Sequence, residues 1–186
     1  MKRRINGALA ALAACAALGA PAADEIFQKD GPSSMNGFLA ANHPLYVKEC
    51  GGCHFPYSPG LLPERSWKLQ FSRLEKHFGE TIQLPPETHA ALLAYVTENA
   101  ADRSPYGGSI TFMQRIDPKR TPYRLNDVPL FREMHRVMKE VIDRKQKVKV
   151  RTLTNCNACH QAADSGSFGY DELYVPGLSV SRKARD

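Results

Sequence analysis

Cys50-Gly51-Gly52-Cys53-His54 and Cys156-Asn157-Ala158-Cys159-His160 share one spacing: two cysteines separated by two residues, with a histidine directly after the second. C-x-x-C-H is the attachment pattern of a c-type haem, and the spacing has a chemical reason. Two thiols set this far apart on a helical turn reach the two vinyl groups of one macrocycle and form thioethers. The histidine that follows lies beneath the iron as its proximal ligand. Two covalent haem c groups are implied, held through Cys50, Cys53, Cys156 and Cys159, with His54 and His160 as iron ligands. A covalent cofactor is retained even by a small core, which suits a short chain with few large apolar residues.

Other uses of paired cysteines fit less well. A thioredoxin-like dithiol sits at the edge of a βαβ unit, and no such pattern is present. A shared zinc site takes two C-x-x-C pairs about 15–20 residues apart, whereas about a hundred residues intervene here. Disulfides alone would not require a histidine after both pairs.

The start of the chain has the form of an export signal. Lys2, Arg3 and Arg4 precede an uncharged stretch, Ile5 to Leu18, that is mostly Ala and Leu, and the small residues Ala20-Pro21-Ala22 follow. This architecture belongs to a cleaved leader, not to a membrane span, and residues 1–22 are assigned to it. In a competing reading, Leu12-Ala13-Ala14-Cys15 is a lipobox and Cys15 is lipidated. The apolar core before Cys15 is short and a second acceptable site follows, which favours simple cleavage near Ala22 or Ala23. No later segment approaches the roughly 20 apolar residues of a spanning helix. The expected location is the periplasm. Cleavage also removes the fifth cysteine, leaving four, all in the two motifs.

The formal charge of +6 shrinks with the leader: without Lys2, Arg3 and Arg4 the 25 basic residues become 22 against 19 acidic ones, a net +3. Four haem propionates would bring the holoprotein near neutrality. Nucleic-acid binding needs a strong, clustered positive field and is not expected. Local asymmetry remains where Arg136, Lys139, Arg144, Lys145, Lys147, Lys149 and Arg151 crowd together. A solvated face accounts for such a run; a docking patch for an acidic redox partner is the sharper alternative.

The periodicity describes a mainly α chain. Pro44 opens a short helix into Cys50, and Phe55 to Pro63, with three prolines, is a loop. Ser66 is the expected N-cap of a helix ending near Phe78 with Gly79 as its stop, its apolar face carrying Trp67, Phe71, Leu74 and Phe78. A third helix fits Pro86 to Ala100, with Leu92, Leu93, Val96 and Ala100 inward. Residues 24 to about 38 look like a loose lead-in, and Asp102 to Pro122 like a linker with one short extended piece at most. A fourth helix fits Val128 to Arg144, burying Phe131, Met134, Met138, Val141 and Ile142. Val148 to Leu153 alternates as a brief strand would, and the tail from Ser165 is irregular. Two units are expected, a helical haem domain over 23–105 and a smaller, less regular haem domain over 106–186.

The sixth iron ligand separates electron transfer from ligand binding or peroxide chemistry. Four histidines lie outside the motifs: His43, His77, His89 and His135. For the first haem, His77 follows the motif on an element able to fold back over it, and His89 on the face of Leu92, Leu93 and Val96 is its rival. His43, before Pro44, ranks last. For the second haem His135 shares a face with Phe131, Met138 and Ile142. Met134 and Met138 are nearby alternatives as ligands, or simply core filling. Bis-histidine ligation at both irons is the expectation.

The sequence resembles the bacterial dihaem cytochrome c family, often abbreviated DHC. The resemblance rests on Glu49 to His54, Leu61-Leu62-Pro63 with Ser66-Trp67, His77-Phe78-Gly79, Tyr95 with Asn99-Ala100-Ala101, Phe131 to His135, and Asn155 to His160. It runs from about residue 45 to 177. It implies an N-terminal domain like a class I cytochrome c, a less regular C-terminal domain, and His77 and His135 as the distal ligands. It also implies two redox partners, an oxygen-binding monohaem cytochrome and a membrane b-type cytochrome. Met134 departs from the family's contiguous arginine–glutamate–histidine run.

An electron carrier, not an enzyme, is the expected function, since no catalytic carboxylate or nucleophile stands out. A small peroxidase or gas-binding protein would need one open iron and a polar group beside it. An electron-entry subunit of a larger reductase is a third reading.

Overall fold

The computed structural model describes residues 36–144, 150 and 152–177. The expected leader, with Cys15, and residues 24–35 of the lead-in lie outside the described residues. So do Lys145, Lys147, Lys149 and Arg151, and half of the strand expected over Val148 to Leu153. Among the described residues five α-helices and several single 3₁₀ turns make the fold, with only isolated bridges and no strand.

α1 spans Pro44–Cys50, with Pro44 in its first turn as its fixed φ favours. α2 spans Glu64–Phe71 and not Ser66–Phe78. Pro63, not Ser66, is its N-cap, and Ser66 is fully buried inside the helix. Its inward face is Ser66, Trp67, Gln70 and Phe71, and the Trp67 indole donates to the Pro59 carbonyl at 2.8 Å. The chain leaves the helix at Ser72, whose hydroxyl donates to the Leu69 carbonyl at 2.8 Å. A 3₁₀ turn over Leu74–Lys76 follows. Because 3₁₀ and α turns space apolar residues almost alike, Leu74 and Phe78 continued the helical pattern without being in the helix. Phe78 is in fact half exposed.

α3 spans Pro86–Glu98 and packs against α2, with Leu92 and Val96 fully inaccessible and Ala100 just beyond its end. Burying a Leu or Val side chain contributes about 1.5–3 kcal/mol, so this face anchors the pair. α4, Gly107–Gln114, lies inside the stretch expected to be a linker. Its Gly107-Gly108-Ser109 start has poor helix propensity, and tertiary burial of Gly108, Ser109 and Phe112 overrides it. α5 spans Pro129–Asp143. Phe131 is buried, Met138, Val141 and Ile142 are half-buried, and Met134, expected inward, is half exposed.

One buried cluster joins Phe38, Tyr46, Trp67, Phe71, Leu92 and Val96 to Phe112, Ile116, Leu125, Val128 and Phe131. The core therefore continues across the expected boundary at residue 105. Phe38, placed by sequence in a loose lead-in, belongs to it, meeting Phe112 and Phe168 edge to face at 5.1 and 5.4 Å. The tail is tied to the same segment: Phe38 N–H donates to Gly166 O at 2.8 Å and Phe168 N–H to Asn36 O at 3.1 Å. The described basic residues of the charged run are paired along α5 and at its C-cap: Arg136 and Arg144 with Glu140, and Lys139 with Asp143. A solvated, internally neutralised face accounts for them.

Candidate functional site

The first motif leaves the end of α1, which sets Cys50 half-buried against the core while Cys53 and His54 face outward. The Gly51 N–H closes the helix on the Val47 carbonyl at 2.9 Å. His77 reaches the same place from the far side of α2. His77 and Glu80 exchange both backbone hydrogen bonds at 2.9 Å across Phe78 (φ +51°) and Gly79 (φ +104°), a tight two-residue turn with positive φ at both centres. The His54 and His77 rings face each other with centroids 6.1 Å apart and planes 21° apart.

The second motif begins in a 3₁₀ turn, Cys156–Ala158, in which His160 N–H returns to the Cys156 carbonyl at 2.8 Å. α5 carries His135 to it, and the His135 and His160 rings are again 6.1 Å apart, at 70°. Two cavities, of about 170 and 310 Å³, lie beside this pair and share His135, His160, Cys156 and Phe168 in their walls. Their other walls are mostly apolar, with Met138, Ile142 and Leu173 around one and Phe112, Leu125 and Leu130 around the other. Both cavities therefore adjoin both imidazoles.

These centres fit haem and not a bare ion. Among the described residues no group of three or more His, Cys, Asp or Glu could hold a metal, and two facing imidazoles at each centre suit a metal that would bring its own further ligands, as haem does. A metal–imidazole bond of about 2 Å on each side, plus about 1 Å from each nitrogen to its ring centre, spans about 6 Å. Both pairs have that separation. The Nδ1 atoms of His54 and His135 lie 2.8 Å from the carbonyls of Phe55 and Phe131. A carbonyl only accepts, so Nδ1 carries the hydrogen and Nε2 keeps its lone pair for a metal. The Nδ1 atoms of His77 and His160 are buried without a partner.

Burial lowers the pKa of His77, with the nearby His54 adding to it, and lowers that of His135 against a small opposing effect of the Phe131 carbonyl. His160 is pushed down to about 4, by burial first and His135 second. In all three the shift favours the neutral imidazole, the form that binds a metal. Burial pushes the Cys50 thiol up to about 11 and the Cys156 thiol up to about 12, and raises Cys159. None of the four motif cysteines is in a disulfide.

His89, the rival ligand, lies 3.2 Å from the Phe71 carbonyl through Nε2 and packs edge-on against the Phe71 ring. His43 lies tilted against Tyr95, with ring centroids 4.7 Å and planes 34° apart. Neither is paired with a motif histidine. Met134 lines both cavities beside His135 without displacing it. Sequence reasoning missed Tyr57, whose ring stacks on His54, and Phe168, which meets His160 at 5.2 Å. No local signal marks either, because both contacts are made by chain closure.

The sequence model of the dihaem cytochrome c family, DHC, matches residues 46–168. The diheme cytochrome c from Rhodobacter sphaeroides is similar at 32% identity over 70% of this chain and 99% of that one, with a TM-score of 0.60. A structure of DHC purified from Rhodobacter sphaeroides is 30% identical over 70% of this chain and 100% of that one, with a TM-score of 0.51. The diheme cytochrome type c of Shewanella baltica OS155 is 26% identical over 76% of this chain and 98% of that one, with a TM-score of 0.58. No curated protein matches the chain.

Proposed function

Because the chain belongs to the dihaem cytochrome c family, and so is a haem protein of electron transfer, we propose that it is a periplasmic carrier whose two irons are both six-coordinate. Cys50 and Cys53 would hold the first haem covalently between His54 and His77. Cys156 and Cys159 would hold the second between His135 and His160. The observation that carries this reading is the recurrence of one separation, 6.1 Å, between the paired imidazoles at both motifs.

Bound haem supplies a one-electron ferric–ferrous couple. The chain's part would be to hold each pair of imidazoles in place in either state, so that little would reorganise when the charge changes. α5 does this for His135 by stacking it on Phe131 at 4.2 Å and hydrogen-bonding its Nδ1 to that residue's carbonyl. The short turn at Phe78–Gly79 does it for His77. Redox proteins are the expected partners, specifically an oxygen-binding monohaem cytochrome and a membrane b-type cytochrome, as the family resemblance implies.

The test is the visible spectrum of the dithionite-reduced holoprotein before and after carbon monoxide. An unchanged Soret band is expected. A prompt shift would mean an open or weakly ligated iron and would replace this reading with a gas-binding or enzymatic one.

A further inference from the structure

Tyr57 touches both centres. Its ring stacks on His54 with centroids 5.0 Å apart and planes 29° apart. Its hydroxyl donates to the Thr154 carbonyl at 2.7 Å, across almost a hundred positions of chain. The Cys156 sulfur lies 3.7 Å from that same carbonyl oxygen. Tyr57 is itself held in place from α1, where the buried Tyr46 hydroxyl donates to the Tyr57 carbonyl at 2.9 Å. Phe55 closes the space beside it, sharing a buried cluster with Cys156 and Ala163.

From this arrangement we infer that Tyr57 is the positioning and coupling residue between the two haem sites, linking the His54 imidazole to the Cys156 thioether. The inference rests on the two-haem reading given above. The route consists of one ring contact, one hydrogen bond and one sulfur–oxygen contact, with covalent bonds between them. Direct contacts and short hydrogen bonds carry electronic coupling far better than open gaps, so this path favours exchange within the molecule. One electron passes from the reduced site to the oxidised one. No proton accompanies it, because the phenol keeps its hydrogen on the Thr154 carbonyl throughout.

The experiment uses the full holoprotein, half reduced, and follows electron exchange between the haems through their haem-methyl NMR resonances. Tyr57→Phe keeps the ring on His54 and deletes only the hydrogen bond. Exchange within the molecule should slow several-fold while the visible spectrum stays that of the wild type. Tyr57→Leu, which also removes the stacked ring, should slow it further. A wild-type exchange rate in either variant overturns the role of Tyr57. A wild-type protein whose haems do not exchange electrons at all would instead overturn the two-haem relay on which the inference rests, so the two failures are distinct.

Discussion

His135 and His160 face each other at 6.1 Å with their ring planes 70° apart, whereas His54 and His77, at the same separation, are only 21° from parallel. The contrast arises from the elements that carry the rings. His135 is oriented by α5 through its stack and hydrogen bond to Phe131, and His77 by a tight turn.

The two irons of the proposed bis-histidine sites should therefore differ electronically although the proposed ligands are the same. Near-parallel imidazoles both raise the same iron d orbital, while near-perpendicular ones raise two orbitals alike, and axial ligation is one of the protein's levers on haem electronics. Electron paramagnetic resonance of the ferric holoprotein should show two low-spin signals, one rhombic and one highly anisotropic. His135→Met should remove the anisotropic signal alone. A single superposed rhombic signal would contradict the ring geometry.

His77→Ala and His135→Ala should each open one iron. Carbon monoxide titration of the reduced protein is expected to give one equivalent bound in each single variant and two in the double variant. If His89 served the first iron, His77→Ala would stay unreactive and His89→Ala would bind.

Gly166 adopts φ +82°, and a Cβ there would run into the Phe38 carbonyl oxygen. Its own carbonyl accepts the Phe38 N–H, so the residue ties the tail to the core. Gly166→Ala should cost about 1–3 kcal/mol, the usual scale for a strained backbone or an overpacked site. Thermal unfolding of the holoprotein measures it, and an unchanged midpoint would show that this closure is not limiting.

Glu64 pairs with Lys68 at 2.6 Å and Arg103 at 2.7 Å, which hold its carboxyl below the usual value. Its folded pKa is lower than its unfolded one, so its contribution is present above the unfolded pKa and lost as pH falls through the folded one. Glu64→Gln should lower the melting temperature slightly at neutral pH, with the gap closing as the pH falls through the lowered pKa of the folded carboxyl. A gap independent of pH would mean that the pairs contribute nothing.

Much of this was legible in sequence because it is local. The C-x-x-C-H spacings need only adjacent residues, and the cores of α1, α3 and α5 show in Pro starts and apolar faces. Where tertiary burial outweighed propensity, local reading went wrong: α4 begins with two glycines, Phe38 sits in a Gly- and Asn-containing segment, and α2 stops before its apolar period does.

The sequence by itself determined two attachment motifs, a mainly helical chain and a short choice of distal histidines. Only the tertiary structure decided which histidines face the motifs, at what angle their rings meet, and that Tyr57 reaches Thr154. The physical reason is range. Spacing and propensity act over a few residues, whereas ring orientation and cross-chain contacts follow from how distant segments close around one core.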